Sequence, residues 1–171
     1  DEQMALLVQR VSGSYYGDYY MPCAAGVGYS YSPYRFLESL DPAAGMLRLV
    51  MGLGTSAVDR AEGSYPRLVS LDRPKVTAAG NSAEKRKYSQ QRLEVINRSA
   101  GKLEQISLQE IKPFMPYYLK GLFLEHDYET ERTFRELGRE REFEFISCQG
   151  LVEKEVIMRQ MRDILQRIRD E

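Results

Sequence analysis

The chain has 171 residues, with 24 basic and 25 acidic side chains, 43% hydrophobic residues, two cysteines and one histidine. A formal net charge of −1 provides no global field to gather phosphate backbones, which argues against nucleic-acid binding, and no apolar run approaches the roughly 20 residues of a membrane-crossing helix. Surface scaling lets a chain of this size bury about 70% of its extended area, enough for one core. Cys23 and Cys148 are far apart, lack C-x-x-C spacing and have only His126 as an imidazole partner, so no zinc set is expected. They read as reduced thiols of a cytoplasmic protein.

Charge divides the chain: residues 1–80 carry 15 of the 49 charged side chains and eight of the 12 tyrosines. That predicts one α+β domain, sheet-rich over 1–80, with a hairpin and helical part over 81–171. Met4–Val11 is short and apolar and reads as a buried strand ending at Ser12-Gly13-Ser14. Tyr15–Ala25 is aromatic and also strand-like, Gly26–Pro33 reads as a loop, and Tyr34–Leu40 as a short helix stopped by Asp41-Pro42. Met46–Met51 is the next strand, leading into Gly52-Leu53-Gly54. Thr55-Ser56 is positioned to cap a brief helix through Arg60. Arg67–Leu71 is a further strand closed by Asp72-Arg73-Pro74.

Asn81–Gln91 reads as an exposed helix or linker. Leu93–Asn97 and Lys102–Ser107 flank Arg98-Ser99-Ala100-Gly101 as a hairpin, with glycine supplying the left-handed turn position. Pro113 and Pro116 break Leu108–Leu124, and Thr130–Leu137 is helical, ended by Gly138. Glu142–Ser147 alternates as a half-buried strand with Phe143 and Phe145 inward and Glu142 and Glu144 in solvent. Ile157, Met161, Ile164, Leu165 and Ile168 recur at helical spacing as an amphipathic helix. The chain starts without methionine and stops inside a helical pattern at Arg169-Asp170-Glu171, so it reads as an excised fragment.

Few residues carry chemistry by themselves. His126, beside Glu125 and Asp127, is the only available base and reads as a surface or helix-end residue. Cys148 follows a strand and precedes a helix, where a dipole can activate a thiol, although a small buried side chain is the commoner role. Gly52-Leu53-Gly54-Thr55-Ser56 lies at a strand-to-helix junction whose N–H groups and hydroxyl can face phosphate oxygens or simply make a turn. The tyrosines from Tyr15 to Tyr34 suit either packing beneath loops or stacking on bases or sugars.

Three segments taken together resemble a known family: Leu6-Leu7-Val8-Gln9-Arg10-Val11 before a glycine-bearing hairpin, Leu49 to Val58 around Gly52-Leu53-Gly54-Thr55-Ser56, and Tyr65 to Pro74. They are similar to the nucleotide-binding region of phosphoenolpyruvate synthase and pyruvate phosphate dikinase, whose ATP-grasp domain holds ATP and Mg²⁺. In that family the phosphate passes through a histidine on a swivelling domain to pyruvate. The likeness covers mainly residues 4–74. It implies an ATP-grasp C-terminal-subdomain-like fragment, with a mainly antiparallel sheet and helices on one side. It assigns Gln9, Arg10 and Val11 to the strand whose backbone reads adenine, and Gly52, Gly54 and Thr55 to a phosphate-facing turn.

Thr55 stands where the family usually has glutamate. The family's metal-binding D-x-E with a later L-x-Q-x-R-P is absent, as are the N-terminal subdomain and the phosphohistidine motif. The resemblance therefore makes those missing parts the partners of this piece, assigns it no catalytic residue or metal ligand, and leaves it weak ATP binding at most. An uncovered apolar face could also pair two copies. A non-catalytic regulatory or docking module of the same fold is the alternative.

Overall fold

The computed structural model describes residues 4–58, 64–139 and 141–170. It is an α+β arrangement of three antiparallel sheets, and among the described residues no helix is long and apolar enough to cross a membrane. The first sheet has order β1-β2-β6-β7: β1 (Ser14–Tyr16), β2 (Tyr19–Met21), β6 (Arg92–Asn97) and β7 (Lys102–Ser107). The second has order β3-β4-β5: β3 (Ala25–Tyr29), β4 (Met46–Val50) and β5 (Arg67–Ser70). The third pairs β8 (Leu124–His126) with β9 (Glu144–Ile146).

Local chemistry sets most of the boundaries. Gly17 at φ +62° and Gly101 at φ +63° occupy the tight turns of the β1–β2 and β6–β7 hairpins, where a Cβ is strained. Asn81 accepts from the Glu84 N–H at 2.9 Å to start α1 (Ser82–Lys87), the exposed-helix alternative for that polar stretch. Ser107 and Glu110 form a reciprocal capping box at α2 (Leu108–Ile111), which fills donors that the first turn leaves open. Pro113 then forces a single 3₁₀ turn, Lys112–Phe114, before α3 (Tyr117–Phe123). Asp127 caps α4 (Tyr128–Glu136), and α5 (Gln149–Val152) and α6 (Glu155–Asp170) follow.

Two apolar clusters hold these parts together. Leu93 and Val95 point inward from β6, meet Ile106 of β7 across the ladder side, and pack with Met21, Ile111, Leu119 and Phe123. On the second sheet Leu47, Val69 and Leu71 face Val152, Met158 and Leu165, so α6 covers one face through the stripe read from its sequence. Ile164 and Ile168 of that stripe lie at the margin, 48% and 60% exposed.

Four sequence expectations need correction. Met4–Val11 is not a buried strand: it forms no strand, and Met4, Leu6 and Val8 are each above 90% exposed, because an apolar run becomes a strand only where a neighbouring edge accepts its hydrogen bonds. Gly26–Pro33 is not wholly loop, since Ala25–Tyr29 is β3, paired with β4 from Ala25↔Val50 to Tyr29↔Met46. Its glycines serve close packing: a Cβ on Gly26 would lie 2.3 Å from the Arg48 carbonyl oxygen, and one on Gly28 would lie 3.0 Å from the Leu165 side chain. Tyr34–Leu40 forms bends and a turn rather than a helix. Finally, the single sheet expected is divided into three. Arg60, the expected end of the helix after Thr55, lies outside the described residues.

Candidate functional site

The glycine turn is built by its neighbours. As β4 ends, the Met51 N–H donates to Gln90 Oε1 at 2.8 Å and Gln90 Nε2 donates back to the Met51 carbonyl at 2.8 Å. Gln90 Nε2 also donates to the Arg92 carbonyl at 2.9 Å, so one carboxamide joins two sheets in place of strand pairing. Gly52 sits at φ +92°, where a Cβ would be 2.7 Å from the Glu94 carbonyl oxygen, and the Leu53 N–H donates to that same oxygen at 2.9 Å. Gly52 is thus required by contact with β6.

From there the chain makes a 3₁₀ turn, Gly54–Ala57, with Leu53 at its N-cap and no side-chain cap bond. The expected hydroxyl cap is corrected by this: Thr55 lies inside the turn, exposed to solvent. A Cβ added to Gly54 would lie 3.3 Å from the Ala25 Cβ.

Gln9, Arg10 and Val11 lie exposed at the surface outside any ladder. The Val11 carbonyl accepts from the Tyr20 hydroxyl at 2.8 Å. None of Gln9, Arg10, Val11, Gly52, Gly54 and Thr55 lines the cavity described next, and the structure does not bring the two groups together there.

That cavity, about 400 Å³, runs along the outer edge of β5. Tyr65, Tyr88, Phe36 and Pro66 supply apolar wall, and Arg48, Arg67 and Lys85 supply cations. Tyr65 and Tyr88 meet edge-to-face with ring centroids 5.7 Å apart. Arg48 and Arg67 each have a buried Nε without a hydrogen-bond partner, although an Arg67 terminal nitrogen donates to Gln149 Oε1 at 3.2 Å. Burial lowers the Arg67 pKa from its ordinary value, against the opposing pull of Cys148 and Glu125. The sequence reading missed both arginines; the available signal was a cation in the middle of the apolar run Met46–Met51 and another opening the strand Arg67–Leu71.

The other reactive candidates have structural roles. Cys148 is buried at the αL N-cap of α5, φ 56°, and burial pushes its thiol up to about 12 against the lowering effect of Arg67. A thiol in that state is no nucleophile at neutral pH. His126 Nε2 lies 2.9 Å from Glu131 Oε2 and its ring stacks on Tyr128 with centroids 4.4 Å apart, an arrangement that positions the start of α4. Glu142 and Glu144 are not simply solvent-facing: Lys112 Nζ lies 3.6 Å from Glu142 and in direct contact with Glu144. Among the tyrosines, Tyr16 is core, whereas Tyr15 is stacked between Tyr20 at 5.0 Å and the Arg98 guanidinium at 4.7 Å.

These residues also test the two groups that the resemblance implies. The unpaired arginine nitrogens and the turn N–H groups suit a phosphate. For Mg²⁺ the described residues offer no group of three histidine, cysteine or acidic side chains, so no all-protein cage is present and the ion would have to be carried largely by the phosphates and water. No protein-family model, curated protein or solved structure matches the chain.

Proposed function

We propose that this chain is the central part of an ATP-grasp-like nucleotide-binding domain from a phosphoenolpyruvate synthase or pyruvate phosphate dikinase-like protein. The reaction of the whole protein would be phosphorylation of pyruvate or a related acceptor by ATP. The observation that carries the reading is the placement of Gly52-Leu53-Gly54-Thr55. The resembling segment lies at the end of an antiparallel strand, its turn is held from both sides by β6 and Gln90, and Thr55 points to solvent. A turn so constrained offers N–H groups to a phosphate without first paying an ordering cost. The Gln9–Val11 backbone lies outside any ladder; apart from the Val11 carbonyl held by Tyr20, its donors and acceptors are open for a base.

Phosphoryl transfer needs cations and metal around the phosphates; Mg²⁺ arriving with ATP would neutralise developing charge there. This chain's own share is to bind and orient. A second reading, a non-catalytic docking module of the same fold, is favoured by Thr55 in place of the family's acid. Calorimetry of the 171-residue chain with ATP and with Mg-ATP separates them: weak, saturable heat with both supports nucleotide binding, and none at millimolar nucleotide refutes it.

A further inference from the structure

We propose that a nucleotide sits in the cavity along the free edge of β5, its base read by the Leu68 backbone and its phosphate held by Arg48 and Arg67. This rests on the nucleotide-binding reading above, and moves the contact away from the residues the resemblance assigns.

β5 is the outer strand of its sheet. The Leu71 N–H donates to the Gly45 carbonyl at 3.0 Å, and bonded pairs alternate along an antiparallel ladder. Leu47 with Val69 and Leu49 with Arg67 therefore exchange the bonds, and Leu68 turns its N–H and C=O away from β4. Among the described residues no loop or turn bond reaches them, and Leu68 lines the cavity. One donor beside one acceptor is the pattern that a ring nitrogen and an amino group of adenine complement.

The ladder also places the cations. Arg48, on the central strand, stands opposite Leu68, and Arg67, on the outer one, opposite Leu49, so their side chains leave the sheet on opposite faces, and both line the cavity. A buried charged donor without a partner is costly, and a phosphate oxygen would satisfy either Nε. Nearby carboxylates are already engaged: Glu84 accepts from the Gly80 N–H at 2.8 Å and Glu125 pairs with Lys85 at 3.9 Å. Tyr65 and Tyr88 offer rings on which a base can lie. The volume, about 400 Å³, falls within the range of small-molecule sites.

The test is an amide and arginine-side-chain NMR titration of the 171-residue chain with ATP, adenosine and inorganic phosphate. Saturable shifts with ATP at the Leu68 amide and at the Arg48 and Arg67 Nε–H support the proposal, as does phosphate moving only the arginine signals and adenosine only Leu68. Arg67→Met should weaken ATP about tenfold, since a hydrogen bond to a charged group is lost, with Arg67→Lys intermediate and both spectra still dispersed. Shifts confined to Gln9–Val11 and Gly52–Thr55 would overturn this site and leave the nucleotide reading standing. No response to ATP would overturn both, whatever inorganic phosphate does at the arginines.

Discussion

Arg86→Met should destabilise the protein by about 3 kcal/mol at neutral pH. Asp127 is fully buried, 0% exposed. Its Oδ1 accepts from the Thr130 N–H at 3.1 Å, and its Oδ2 accepts from Arg86 Nε at 3.0 Å. Burial pushes the carboxyl up, but bonds from Thr130 and Arg86 outweigh it and hold it below the usual carboxylate range. Losing the cation leaves a buried carboxylate without its counter-charge, an error worth roughly 3–5 kcal/mol; the lower end applies because Arg86 is itself 21% exposed. At about 2–4 °C per kcal/mol for this chain length, the melting point should fall by about 9 °C.

The pH dependence gives that reasoning a second, sharper test. A carboxyl with a depressed folded pKa contributes stability above its unfolded value, about 3.9, and loses it as pH falls through the folded value. In Arg86→Met burial acts with less opposition, so protonation begins to relieve the variant at pH values where the wild-type carboxylate still contributes in full. The gap in melting temperature should therefore narrow from neutral pH towards pH ~4. Adding Asp127→Asn to Arg86→Met should recover part of the loss, because the amide keeps the cap without the charge. Melts of the two variants within about 1 °C of wild type at neutral pH, or a gap that ignores pH, would refute the argument.

Thiol chemistry gives another expectation. With native protein a disulfide reagent should titrate one cysteine, the exposed Cys23, and with denatured protein two, since Cys148 is buried and its thiol is pushed up to about 12. Gly52→Ala should cost about 1–3 kcal/mol in denaturant unfolding from the contact with the Glu94 carbonyl and the positive φ, while Thr55→Ala at an exposed position should stay within about 0.5 kcal/mol. Gly150→Ala should be at least as costly as Gly52→Ala, its Cβ landing 2.2 Å from the Gly121 carbonyl oxygen, and an unchanged midpoint would mean that α3 and α5 can separate easily.

Elements whose signals are local were legible. The β6–β7 hairpin follows from two alternating runs around Gly101, and α6 from its apolar stripe, because turn chemistry and helical periodicity are written within a few residues. β3 was hidden for the opposite reason. Its glycines look like loop residues, yet they are there so that the Arg48 backbone and the Leu165 side chain can come close, and those partners are distant in the chain. Met4–Val11 misled in reverse, since composition reports the capacity to pair and says nothing about an available edge. The arginine-flanked cavity depends on β5 ending its sheet, a property of strand order, which no single segment encodes.

Gln90 has one further consequence. By gripping both backbone groups of Met51, its carboxamide makes the end of β4 and the start of β6 open together or stay shut together, so hydrogen exchange at the Met51 and Leu53 amides should report one shared event. A hinge could not then be located at the glycines between them, and any ligand arriving there would have to adapt its own shape to a frame already set.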